Sequence, residues 1–314
     1  MDYRKYYKGE FWIKDNKDEK LFGLLKFLEG VAYIDLFGSF ISSNDKGKEV
    51  EFVFGLLENN QFCIFHNCKL QRPAPFRTSN FINFEFFVHA PPHLFKPTKD
   101  DKLEFTRVKF RFDFLSDWTG INVYSPYIDG NGNSGIKLDQ PDLSELVLFE
   151  DKDLLLRVGH EYSMPLSNPF SSFELKQESW LIAEINGELD FDGVFSFLEN
   201  KEDIFILLNG KEVLLTTPFV LYTKSTKEFF CFKNRINARF EPLVLSESKR
   251  IIHVPIFNLS QLTDLMDLKL FFKGWIGVST RYPDSIRAIV TCFKQRNLNA
   301  ESTFLNLVFS LEKL

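Results

Sequence analysis

Val50-Glu-Phe-Val-Phe-Gly-Leu-Leu-Glu-Asn-Asn-Gln-Phe-Cys-Ile-Phe-His-Asn-Cys68 sets the architecture of the first half of the chain. Two short apolar runs, 50–57 and 62–68, flank Glu58-Asn-Asn-Gln61, whose polar residues suit a hairpin turn. The segment therefore reads as two antiparallel strands. Comparable runs lie upstream at 11–13, 22–27 and 31–37, separated by Lys, Asp, Asn and Gly clusters. Downstream, Glu104-Phe-Thr-Arg-Val-Lys-Phe-Arg-Phe-Asp-Phe114 places Val108, Phe110, Phe112 and Phe114 on one face and Lys109, Arg111 and Asp113 on the other. Short strands at this spacing predict an antiparallel, β-sandwich-like domain over residues 1–150.

From about Asp151 the pattern changes to mixed α and β, with an α+β domain expected over 151–255 and a helical segment over 256–314. A strand is read at 179–185, a helix at 190–209 with Gly210 as its C-cap, and strands at 213–215, 219–222 and 228–232. Beyond Pro255 the pattern is helical. Asn258 and Gln261 form a capping box that opens a helix over 259–273, closed by Gly274. Pro283 and Asp284 start a helix running to Arg296. In the last stretch, Phe304, Leu307, Leu311 and Leu314 share one helical face, an apolar stripe that needs a partner. The fold class is α+β: an antiparallel β-sandwich-like part, then a mixed α+β part ending in helices.

The 314 residues suffice for two or three cores. Thirty-seven Phe against four Trp and nine Tyr is a large apolar payload without polar handles, expected mostly in those cores. A net charge of −5 argues against a surface that grips nucleic acid all over. Met1-Asp-Tyr-Arg-Lys-Tyr-Tyr-Lys carries no apolar signal region, and no eighteen apolar residues run together, so a cytoplasmic chain without a membrane partner is expected. Four cysteines without framework spacing fit a reducing compartment. Cys63, His66 and Cys68 have the look of metal ligands, but strand alternation puts Cys63 on one face and His66 and Cys68 on the other. No metal site is expected there. Asp129, Asn131 and Asn133 mimic the opening of a calcium loop, yet Ser134 and Gln140 stand where glycine and glutamate are needed, which leaves a loop or hairpin tip.

Several segments together resemble the ApeA-type N-terminal domain. They are Gly9-Glu-Phe-Trp-Ile-Lys-Asp-Asn-Lys-Asp-Glu-Lys-Leu-Phe-Gly-Leu-Leu-Lys-Phe27, Ile34-Asp-Leu-Phe-Gly-Ser-Phe40 and the stretch from Phe54 to Cys68. Phe112-Asp-Phe-Leu-Ser-Asp-Trp-Thr-Gly120, Trp275 and Glu301-Ser-Thr-Phe-Leu-Asn-Leu-Val-Phe-Ser-Leu-Glu312 follow in order. The resemblance implies a bacterial abortive-infection protein, sensing or regulating through this region and cutting RNA through a C-terminal HEPN helical domain. In such nucleases an Arg and a His four to six residues apart polarise the scissile phosphate and move its proton. Here the histidines are His66, His89, His93, His160 and His253; Arg157 and Arg250 precede His160 and His253 by only three. The last helix resembles the first HEPN helix, so the catalytic half is expected beyond Leu314. The resemblance thus implies no catalytic residue and no cofactor in this chain. Expected partners are the HEPN domain or a second copy, engaged through Phe304, Leu307, Leu311 and Leu314, and a phage protein trigger. RNA is expected to be met only through the missing domain, with Arg281, Arg287, Lys294 and Arg296 either a solvated basic face or an RNA-facing one.

The residues themselves show no nucleophile elbow and no phosphate loop. Asp190 and Asp192 are explained by helix capping. Two other classes stay open. A carbohydrate- or peptide-binding module requires an exposed aromatic cluster, whereas an enzyme with an unrecognised site requires convergent acids or histidines, with His89 and His93 the first to inspect.

Overall fold

A computed structural model describes residues 6–13, 18–28, 31–40, 49–71, 80–84, 86–90, 103–121, 124–130, 132, 134–138, 146–163, 176–210, 212–225, 227–233 and 257–294. In chain order the strands are β1 (Tyr7–Ile13), β2 (Leu21–Leu28), β3 (Val31–Leu36), β4 (Glu49–Leu57), β5 (Phe62–Gln71), β6 (Asn80–Asn83), β7 (Phe86–Ala90) and β8 (Phe105–Phe110). They continue with β9 (Tyr124–Ile128), β10 (Ser134–Leu138), β11 (Leu146–Glu150), β12 (Leu154–Ser163), β13 (Lys176–Leu189), β14 (Phe219–Tyr222) and β15 (Glu228–Lys233). The helices are α1 (Leu115–Thr119), α2 (Phe191–Asn209), α3 (Leu259–Leu265), α4 (Leu268–Arg281) and α5 (Pro283–Lys294). Two compact units result, each assembled from two stretches: Met1–Leu103 with Thr217–Ile251, and Glu104–Thr216 with Ile252–Leu314.

In the first unit the hairpin of β4 and β5 forms as its sequence requires. Asn60 takes the left-handed conformation (φ 57°), and the Leu57 amide donates to the Gln61 carbonyl at 2.9 Å. Six strands then run β5–β4–β1–β2–β3–β6, all antiparallel, and β6 pairs back with β5. The expected antiparallel β-rich part is present, and this pairing makes its two layers opposite walls of one closed barrel. Phe11, Leu25, Ile34, Val53, Phe65 and Ile82 fill the interior. A second apolar cluster, Trp12, Phe54, Phe62 and Ile64, lies on alternate residues of β1, β4 and β5. Those strands are thus apolar on both faces, which gives them the continuous runs of a sandwich core.

Two glycines shape the wall. Leu57, Gly9, Gly23 and Leu36 align across β4, β1, β2 and β3. A Cβ on Gly23 would sit 2.7 Å from the Asp35 carbonyl oxygen, and one on Gly9 would sit 2.8 Å from that of Leu56. The near-bare centre of this row lets the neighbouring strands close in. Beside the barrel, the first half of β5 pairs with β7, which pairs with β15, and β15 with β14. Phe232 of β15 reaches the interior cluster, 5.8 Å from the Phe27 ring and 5.3 Å from that of Phe87.

The second unit carries a four-stranded antiparallel sheet, β11–β12–β13–β8, the hairpin β9–β10 and the five helices. The stretch expected as one strand through Phe114 divides. Val108, Phe110, Phe112 and Phe114 are all buried, but β8 ends at Phe110, Phe112 makes a single bridge with Leu215, and Phe114 immediately precedes α1. The strand expected at 213–215 is likewise reduced to that bridge, fixed by Asp113 N–H donating to Leu214 O and Thr216 N–H to Arg111 O. Helix α2 begins and ends where its caps require: Asp190 accepts from the Gly193 amide at 2.8 Å, and Gly210 is left-handed at φ 73°. Its Phe205 is fully buried against Phe112, Trp118 and Phe272, at 5.2, 5.2 and 6.4 Å between rings. In the stretch expected as a hairpin tip, Ile128 ends β9 and Ser134 opens β10, the two strands pairing antiparallel; Asn131 and Asn133 lie outside the described residues.

The capping box at Asn258 and Gln261 is formed, but the helix it opens does not run to Gly274. Met266 is extended (φ −160°, ψ 163°), and Asp267 then caps a new helix by accepting from the Leu270 amide at 3.1 Å. Gly274 lies inside α4 and closes nothing. The aspartate supplies a stop and a fresh start in one residue, a stronger signal than a glycine that still adopts helical angles.

Candidate functional site

Outward positions on a barrel wall are ordinarily polar. Phe22 on β2 breaks that rule with 64% of its surface exposed, and Phe37, just past β3, with 69%. The two are held side by side because the Phe37 amide donates to the Phe22 carbonyl at 2.9 Å. Glu10 stands opposite Phe22 on β1 and pairs with Lys20 at 3.1 Å; the Lys20 ammonium also lies 5.1 Å from the Trp12 ring. The result is an apolar ledge of two rings with a charged rim. Chemically its two rings can take an apolar surface, and the one carboxylate named at its rim, Glu10, is engaged by Lys20. The sequence signal for it is Phe22 at an outward register position, visible only once the register is known.

The histidines do not assemble a catalytic site. His89 is buried on β7, stacked on Phe230 at 5.5 Å, with Nδ1 2.6 Å from Gln61 Oε1. Burial pushes its pKa down to about 3, which makes it neutral at physiological pH and a poor base there. His93 and His253 lie outside the described residues. His66 packs on Phe52 at 5.0 Å. The face assignment around it needs correction. Asn67 takes φ 53°, which turns the strand over, so Cys63 and Cys68 both enter the barrel interior while His66 stays out. Burial raises both thiol pKa values, and no group of three His, Cys, Asp or Glu among the described residues is placed to hold a metal.

His160 and Arg157, three apart on β12, point to opposite faces as strand geometry demands. Arg157 pairs with Glu184 at 2.5 Å, whereas His160 Nδ1 lies 3.0 Å from Ser179 Oγ. Burial lowers the His160 pKa. Ser179 is 1% exposed and also 3.4 Å from Thr119 Oγ1. This hydroxyl cluster ties α1 to β13 and leaves no room for a substrate at the serine. On the outer face of the same sheet, Lys109 and Arg111 flank the Trp180 ring at 4.6 and 4.9 Å and pair with Glu161 and Glu178. Charges of both signs alternate there, so the face offers little net pull on a phosphate chain.

Of the expected RNA-facing cations, Arg281 is exposed at the end of α4, 5.6 Å from the Tyr282 ring, and Arg287 is exposed on α5. Lys294 ends α5; Arg296 and the stripe of Phe304, Leu307, Leu311 and Leu314 lie outside the described residues. No helix among the described residues is long and apolar enough to cross a membrane.

The family model that matches this chain, over residues 6–267, is described as ApeA N-terminal domain 1. Comparison with curated proteins and with solved structures gives no match.

Proposed function

The chain belongs to the ApeA N-terminal domain 1 family, associated with anti-phage defence, and on that premise we propose that it is the sensing and regulatory region of such a protein. The match over residues 6–267 is the observation that carries this reading. RNA cleavage falls to a C-terminal HEPN domain, and this region works in the cytoplasm without catalysis or cofactor of its own. The trigger is a phage protein that settles an apolar patch on the Phe22 and Phe37 ledge. Two phenylalanines two-thirds exposed present roughly 250 Å² of apolar surface, worth about 6 kcal/mol if wholly covered, before ordering costs. For the trigger to act, it must bind one arrangement of the C-terminal helices better than another.

The exposed aromatic pair also supports the rival reading of a binding module without a defence role. Between its two ligand classes, rings that lack hydroxyl and indole N–H groups favour a peptide over a sugar.

Ribonuclease activity on total tRNA, measured for this chain and for a version extended through the genomic reading frame, tests the proposal. The extended protein should cut on addition of phage lysate, and this chain should not. Phe22→Ser with Phe37→Ser should abolish the response while leaving the melting temperature within a degree or two. Cleavage by this chain alone would overturn the proposal.

A further inference from the structure

We draw no further inference here: the strongest candidate, the outward face of α4 that carries Leu270, Gly274, Gly277 and Val278, is an exposed apolar surface patch, and nothing in the structure shows what covers it.

Discussion

Gly23→Ala adds a single methyl group to a wall that has nowhere to move. The new Cβ would stand 2.7 Å from the Asp35 carbonyl oxygen, 3.0 Å from Leu36 Cδ2 and 3.3 Å from Leu36 Cα. The leucine methyl can rotate away, but the carbonyl is held in the β2–β3 ladder. Relief means parting the strands by about half an ångström, and in a closed ring that shift passes on to β1 and β6. Overpacking of this kind costs about 1–3 kcal/mol. Alanine also restricts the unfolded chain, which offsets about 0.4–1 kcal/mol. The expected net loss is about 1–2 kcal/mol. With a urea slope of about 1–3 kcal/mol/M, the midpoint followed by circular dichroism should fall by roughly 0.3–2 M. Gly277→Ala, measured in dilute solution, is the control. Its Cβ meets nothing within 4 Å, and a midpoint equal to or above that of the parent is expected. If Gly23→Ala matches or exceeds the parent, the tight β2–β3 approach does not exist and the barrel argument built on it fails.

Three further expectations concern buried side chains. His89 titrates near 6.5 when unfolded and about 3 when folded, so the unfolded chain takes up the proton first as pH falls. Its contribution to stability is whole above pH 6.5 and declines by up to about 1.4 kcal/mol per pH unit toward pH 3; His89→Phe should flatten that slope in urea titrations run across the window. Lys201 is buried with its pKa lowered to about 8, and Lys201→Met should raise stability by about 1–3 kcal/mol at pH 7, with a smaller gain above pH 8 where the native amine is already neutral. Phe205→Ala empties the centre of the second unit and should cost about 3–5 kcal/mol, read as a fall in melting temperature; a loss below about 1 kcal/mol would mean that Phe112, Trp118 and Phe272 do not enclose the ring.

Local signals carried much of the fold. The turn at 58–61, Asp190 with Gly210, and Asn258 with Gln261 each act through neighbours a few residues apart, and each appears where the sequence placed it. What could not be read depends on distant partners. Ring closure is decided by β5 meeting β6 as well as β4, and no window of sequence records which edge a strand will accept. The return of β15 to β7 rests on Phe232 fitting between Phe27 and Phe87, three residues far apart in the chain. Asn67 misled the face assignment because one residue at positive φ reverses the alternation for everything after it. Gly274 misled in the opposite way, as a punctuation residue used inside an element. The ledge was the least legible of all, since Phe22 looks like any core phenylalanine until its register shows that it faces out.

The split make-up of the first unit has a consequence for synthesis. The barrel strands are complete once residue 83 has left the ribosome, but β7 must wait for β15, roughly 140 residues later. At about 5–20 residues per second, that edge of five buried residues stands open for roughly 7–30 s on every newborn chain. During that interval it is a template for any passing strand, including the β7 of a neighbouring nascent chain on the same message. Yield of soluble protein should therefore respond to how fast residues 91–233 are translated. Synonymous codons that hasten this stretch, without changing any amino acid, shorten the exposure.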